Sequence, residues 1–390
     1  MQTNKSKTAS SKLLKSINQQ RVLRLIFTEG PITRVELAEK TGLTQQTITN
    51  IVNRLLQDDV LQELNPVASN GGRKPVPLMV KSENLYAIGV EIAVRYVRGT
   101  LMDFRRRPVK EIVVDVPVYN NDEHPVLYIR QVVDELLGHV THRNQLKGIG
   151  CSIQGLVDSK RGVVIYSPGL RWRQFPLQER LEAAYGLPVY LENDANLLAL
   201  VENLNGRLAD SPNNLTIKLD YGIGGAIVAN GQLLAGMSHV AGEFGHYKAF
   251  DGEDARQCHC GAKGCLTTFA SSSGLKRNGG YTPEELKQAL EADEPEAVRL
   301  FGKIEAAVGR AISNVITILN PNHVLLTGKM IDVLGERLIP ALNRRIMETV
   351  PESCREVELV YLPRTPDESS SAVGLVMNHF FDVPLDEFSI

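Results

Sequence analysis

The sequence has no apolar run approaching the roughly 20 residues of a membrane span, so no membrane partner is expected. Its first residues are polar and basic and lack the apolar core of a secretion signal, which points to the cytoplasm. Cysteine is scarce. There are 5 in 390 residues, too few and too clustered for a disulfide framework, and this argues for a reducing compartment. Tryptophan occurs once, as Trp172, which either offers an aromatic face to a ligand or fills a core. Neither sign of charge is in excess overall, with 43 Lys and Arg against 45 Asp and Glu. The balance is uneven along the chain, however. Residues 1–80 carry 11 basic against 6 acidic side chains, and the remaining 310 carry 32 against 39. A basic head on an acidic body points to a polyanion partner for the head alone. The length calls for more than one domain, and a hydrophobic content of 43% is that of an ordinary globular protein.

What the sequence does contain is a dense metal-type motif. His246, Cys258, Cys260 and Cys265 fall within twenty residues, with Gly252, Gly261 and Gly264 among them to allow sharp turns. One imidazole and three thiolates suit tetrahedral Zn2+, and a set that closes without a water describes a structural zinc site.

The head reads as a helix-turn-helix. Apolar Val22, Leu23, Ile26 and Phe27 keep helical spacing until Gly30-Pro31 stops them. Thr33 and Glu36 form a capping box for a short helix from Arg34 to Lys40, and Thr41-Gly42-Leu43 makes a tight turn. Thr44 caps the next helix, Gln45 to Gln57. There Ile48, Ile51, Val52 and Leu55 form a buried stripe. The other face presents Gln45, Gln46, Thr47, Thr49, Asn50, Asn53 and Arg54, side chains able to bond base edges or phosphates. Two short strands, 60–64 and 76–80, flank Gly71-Gly72-Arg73-Lys74, a wing tip from which Arg73 and Lys74 reach phosphate or the minor groove.

From Leu85 the pattern changes to strands separated by amphipathic helices, an α/β fold. Strands are expected near 86–93, 97–103, 111–118, 148–153, 189–192, 215–219, 225–228 and 324–326. Helices are expected near 126–140, 195–203, 283–290, 295–319 and 333–350.

The run Ala241-Gly242-Glu243-Phe244-Gly245-His246, followed by Cys258-x-Cys260-Gly261-x-x-Gly264-Cys265, resembles the signature of the ROK family of repressors, open reading frames and sugar kinases. Glu192-Asn193-Asp194-Ala195-Asn196 and the Gly-Gly-Arg-Lys-Pro wing resemble it too, the wing being that of the family's xylose-type and N-acetylglucosamine-type sugar repressors. The resemblance implies a winged helix-turn-helix (1–80) followed by a two-lobed body of the actin and hexokinase (RNase H-like) type. The first lobe would take 81–191 with about 370–390, and the second 192–369. It also implies sugar contacts at Gly169, Asn193, Asp194, Glu243 and His246, the histidine serving metal and sugar alike. The kinases' first phosphate turn is replaced here by Glu91-Ile92-Ala93-Val94-Arg95-Tyr96, and their last keeps only Gly328. Thr267 stands where the family has a second sugar-binding glutamate. The expectation is therefore a non-enzymatic, sugar-responsive repressor that binds operator double-stranded DNA as a homodimer or tetramer. The alternatives are an active sugar kinase with an added head and a zinc-responsive regulator.

Overall fold

The computed structural model describes residues 17–66, 75–116, 121–364 and 366–381. Arg73 and Lys74 of the expected wing tip lie outside the described residues. The head begins with helix α1 (17–29), which buries Val22, Leu23 and Ile26. Strand β1 (Ile32–Thr33) leads into α2 (Arg34–Thr41) through the expected capping box. The Glu36 amide donates to Thr33 Oγ1 at 3.3 Å, and the Thr33 amide donates to the Glu36 carboxylate at 2.8 Å. Gly42 closes α2 in the left-handed region, with φ of 70°. Thr44 caps α3 (Gln45–Gln57) by accepting from the Thr47 amide at 3.2 Å, and α3 buries Ile48, Ile51, Val52 and Leu55. Strands β2 (Leu61–Glu63) and β3 (Pro77–Val80) pair antiparallel, and β1 adds to the far edge of β3. Two helices joined by a glycine turn and followed by a hairpin make a winged helix.

The body has two lobes. In the first, β4 (Tyr86–Ile92), β5 (Tyr96–Asp103) and β6 (Pro108–Asp115) form an antiparallel meander. Helix α4 (His124–Leu137) then crosses to β7 (Leu146–Ile153), parallel to β4. A small antiparallel sheet of β8 (Leu156–Asp158), β9 (Val163–Ser167) and β10 (Trp172–Phe175) follows, with helix α5 (Leu177–Tyr185) after it. Strand β11 (Val189–Asn193) completes the first large sheet beside β7.

In the second lobe α6 (Asp194–Asn205) leads into a meander of β12 (Asn214–Leu219), β13 (Ile223–Ala229) and β14 (Gln232–Leu233). Helices α7 (Thr267–Ala270), α8 (Ser272–Gly274), α9 (Pro283–Glu291) and α10 (Pro295–Leu319) precede β15 (His323–Thr327), parallel to β12. Helix α11 (Lys329–Thr349) carries the chain to β16 (Glu358–Tyr361), parallel to β15. Numbered within each lobe, both large sheets read 3-2-1-4-5. The two halves thus repeat one supersecondary plan, the expected two-lobed frame.

The last helix, α12 (Glu368–Phe381), returns to the first lobe and lies across β4 and β7. Two glycines make room for it. A Cβ on Gly89 would overlap the Ser369 carbonyl oxygen, and one on Gly150 would lie 2.8 Å from the Ala372 carbonyl carbon. Its far end enters the core of the head. Val373, Val376, Met377 and Phe381 pack in one cluster with Val22, Leu23 and Ile26, and Phe381 stacks on Phe27 at 3.9 Å.

The small sheet β8–β10, helix α5 and the edge strands β14 and β16 were not expected from the pattern, and α11 starts four residues before the expected Val333. Edge strands such as β16 bury none of their residues fully, so they leave no clean alternation. Trp172 is core. It is 1% exposed, stacks on Phe175 at 4.7 Å, and its indole N–H donates to the Asp122 carbonyl at 2.7 Å. It offers no free face to a sugar.

Candidate functional site

The four metal-type side chains come together in a loop after β14. Their ligand atoms all lie within 4.8 Å of one another. Cys260 and Cys265 sulfurs are 3.6 Å apart, and Cys258 Sγ lies 3.7 Å from His246 Nδ1. Tetrahedral thiolates at zinc sit about 3.8 Å apart, so the set has the spacing as well as the donor chemistry for Zn2+. Glycine conformations shape the loop: Gly261 and Gly264 have φ of 89° and 76°. Lys248 donates to Cys265 at 2.8 Å. Burial pushes the Cys258 thiol up to about 11 when no metal is present. Burial, with His259 and Lys248 nearby, lowers the His246 pKa and favours the neutral imidazole that a metal requires.

His246 turns Nδ1 to the thiols and Nε2 to the cleft, where it lies 3.6 Å from the Glu243 carboxylate. Burial and then the charge of Asp194 raise the Glu243 pKa. Of the residues expected to touch sugar, Glu243 and His246 are in contact, and the charge of Asp194 reaches Glu243. Asn193 is spoken for in part. Its Oδ1 accepts from the Ala195 and Asn196 amides at 2.9 and 3.1 Å, and its Nδ2 donates to the Gly155 carbonyl at 2.8 Å. Asn193 is thus the N-cap of α6, and Asp194 stands at the first helical position. Gly169 packs against the replaced phosphate turn, where a Cβ would come 2.5 Å from Val94 Cγ2. Thr267 is buried at the start of α7.

Sequence reading missed the cation of the cleft. Lys218, on β12 and 4% exposed, donates to Asp194 at 2.9 Å and to Glu368, with Asp220 at 3.9 Å. Burial works against its charge, but the carboxylates of Asp194, Glu368 and Asp220 outweigh it and raise the pKa. Ser152 donates to the other Glu368 oxygen at 2.9 Å. Nearby, Tyr96 donates to buried Glu91, whose pKa is pushed up to about 7 by burial and the charge of Glu368. A lysine inside the apolar run Leu215-Thr216-Ile217-Lys218-Leu219 was the available signal, because a buried ammonium demands partners.

On the head, Gln45, Gln46, Asn50, Asn53 and Arg54 are exposed, and Thr47 and Thr49 are half-buried. The Thr47 hydroxyl is 2.9 Å from that of Thr44, and Thr49 donates to the Gln45 carbonyl at 2.8 Å, so both are engaged within the helix. Arg54 reaches back to Gln19 of α1 at 2.9 Å. Among the exposed amides, Gln46 donates to Asn50 at 3.2 Å.

The chain is similar to known proteins over most of its length. The ROK family profile matches residues 87–377, and a winged helix-turn-helix DNA-binding profile matches 15–62. The xylose repressor of Bacillus subtilis is 27% identical over 392 residues, which cover 96% of this chain and 98% of that one. A crystal structure of a ROK family transcriptional regulator, a homologue of the E. coli MLC protein, superposes with a TM-score of 0.82 at 25% identity. It covers 96% of this chain and 98% of its own. The ROK hexokinase of Thermus thermophilus matches at a TM-score of 0.61 and 26% identity, with 75% of this chain against 97% of its own. The chain belongs to the ROK family, with a winged helix-turn-helix head joined to the family's two-lobed body.

Proposed function

We propose that the protein is a sugar-responsive transcriptional repressor, in which sugar bound between the lobes weakens the hold of the head on operator DNA. One observation carries this reading. The same chain pairs a complete reading helix with a kinase-type body whose Asp194 is tied to Lys218. A carboxylate held by an ammonium is a poor general base for a sugar hydroxyl. The first phosphate turn, filled by Val94 against Gly169, also offers no glycine cradle at that place, although Gly222, Gly224 and Gly225 keep the middle turn. The body in this reading senses sugar and does not phosphorylate it.

Gln45, Gln46, Asn50 and Asn53 read base edges, Thr47, Thr49 and Arg54 support them, and Arg73 and Lys74 reach the backbone from the wing. Asp194, Glu243 and the Nε2 of His246 take sugar hydroxyls, with Asn193 and Gly169 beside them. Zn2+ on His246, Cys258, Cys260 and Cys265 would fix the loop that carries Glu243. The units are a head over 1–80, a first lobe over 81–191 with about 370–390, and a second lobe over 192–369. The chain acts in the cytoplasm as a homodimer or tetramer. The Bacillus subtilis relative is named for xylose, and Thr267 offers a weaker acceptor than a glutamate for a hexose's further hydroxyl. D-Xylose is therefore the first effector to try.

The test selects duplex DNA from a random pool with the full chain, then titrates the complex with D-xylose, D-glucose and their phosphates. Release by one of them, without ATP turnover, supports the reading. Sugar-dependent ATP turnover at about 1 per second or faster would establish the kinase alternative. Specific DNA binding indifferent to every sugar would remove the sensing half.

A further inference from the structure

One charged cluster around a buried lysine is used by neither DNA reading nor metal binding. Lys218 gathers carboxylates from three places: Asp194 at the start of α6, Asp220 just after β12, and Glu368 at the start of α12. An ammonium buried this deeply persists only while paired, and it cannot move away from one partner without drawing on another. Glu368 is in turn one end of a stiff element. Ser152 holds its second oxygen, Arg98 bonds Asp367 at 3.2 Å, and Thr100 and Ser369 hydroxyls meet at 2.7 Å. Behind these contacts α12 runs 14 residues, about 21 Å at 1.5 Å per residue, pressed backbone to backbone on Gly89 and Gly150. At the far end Phe381 stacks on Phe27 of α1, and Val373, Val376 and Met377 share a core with Val22, Leu23 and Ile26. Leu85, Ala87, Met102 and Phe104 of the first lobe join this same apolar cluster, and beside it the head meets the body across a polar cavity of about 300 Å3, lined by Asp58, Asp59, Asn84, His142, Asn144 and Lys147. Polar, partly open seams transmit little, whereas a close-packed apolar contact has discrete arrangements.

We propose that Lys218 and α12 form the line along which the sugar cleft moves the DNA-binding head, with Lys218 as a positioning residue for the response. The proposal rests on the reading of Asp194 as a sugar contact. A sugar hydroxyl that bonds Asp194 competes with the Lys218 ammonium. Lys218 then shifts its share of bonding toward Glu368, and α12 carries the change as a rigid piece to Phe27 and α1. The same line works in reverse, as linkage requires: a head fixed on DNA biases Glu368, Lys218 and Asp194 against sugar.

The test uses the full chain, hydrogen–deuterium exchange and D-xylose as the probe. Lys218→Met removes the charge at similar length. Without sugar, the amides of 17–29 and 368–381 in this variant should exchange about tenfold or more faster than in the wild type, the factor carried by one charge-assisted hydrogen bond. Those of α11 should not change. Glu368→Gln cuts the line from the other side and decides the matter should Lys218→Met fail to fold. The double variant should be no worse than Lys218→Met alone, since both break one line. Where D-xylose raises the melting temperature of both proteins, wild-type 17–29 should respond to it and the Lys218→Met head should not. A purely structural role would leave that response in place. If D-xylose binds neither protein, the effector assignment fails and the sugar-free comparison still decides the line. Unaltered protection of 17–29 in both single variants overturns the proposal, and so does a wild-type-sized sugar response in the head of Lys218→Met.

Discussion

Gly89→Ala is expected to be far more damaging than one methyl group suggests. The glycine sits in β4 directly beneath α12. A Cβ there overlaps the Ser369 carbonyl oxygen and lies 2.9 Å from the Ser369 carbonyl carbon and from the Val373 nitrogen. These are backbone atoms, so no rotamer change relieves the collision and the helix must lift. The strand backbone itself suits alanine, which leaves the collision as the whole effect. Overpacking of this kind costs about 1–3 kcal/mol. The upper end applies, because lifting α12 also loosens Val373, Val376 and Met377 from their buried contacts. At about 2–4 °C per kcal/mol for a domain of 150–250 residues, the first-lobe melting transition should fall by roughly 6–12 °C. Two controls isolate the cause. Gly231→Ala has φ of 73° and open space, so it pays only left-handed strain of about 1–2 kcal/mol. Gly99→Ala meets side chains rather than backbone, Val132 Cγ1 at 2.3 Å and Leu136 Cδ1 at 2.8 Å. Calorimetric melting of the three variants reads the order directly. A Gly89→Ala transition within about 2 °C of the wild type, less than 1 kcal/mol by the same scale, would refute the seating of α12 on this sheet.

Cys260→Ser should lower zinc content from one per chain and reduce stability, as measured by metal analysis and melting; a metal-free wild type that is fully folded would contradict it. Glu243→Ala should keep operator affinity and lose the sugar response, giving permanent repression; anisotropy titrations with and without D-xylose decide this. Asn50→Ala should weaken operator binding by about 1–3 kcal/mol, and an unchanged dissociation constant at fixed salt would take it out of the reading stripe. Glu91 carries a pH dependence. Its pKa is raised from 4.5 to about 7, so the folded state favours its protonated form. Stability falls as pH climbs from 4.5, and the penalty is complete above about 7. Glu91→Gln should therefore gain up to about 3 kcal/mol near pH 8 and nothing near pH 4. Equal urea midpoints for variant and wild type near pH 8 would discard that assignment.

The local chemistry of the chain determined a good deal by itself. Thr33 with Glu36, Gly42 and Thr44 punctuate the head because caps and left-handed turns are decided within four residues. The stripe of Ile48, Ile51, Val52 and Leu55 and its amide-rich opposite face follow from the 3.6-residue period alone. His246, Cys258, Cys260 and Cys265 stand out as a candidate metal site through donor type, and the run around Glu243 and His246 is long enough to name the family. The edge strands left weaker traces, since half-buried residues satisfy no period cleanly. What only the tertiary structure decided are the contacts between distant segments. Trp172 became core because Phe175 and the Asp122 carbonyl close on it. Lys218 and Glu368 are 150 residues apart and have no local pattern to join them. Their pairing exists because α12 folds back across Gly89 and Gly150 and brings its first residue into the cleft and its last against Phe27. A buried charge can say from the sequence that it needs a partner; which partner it finds is settled by the path of the chain.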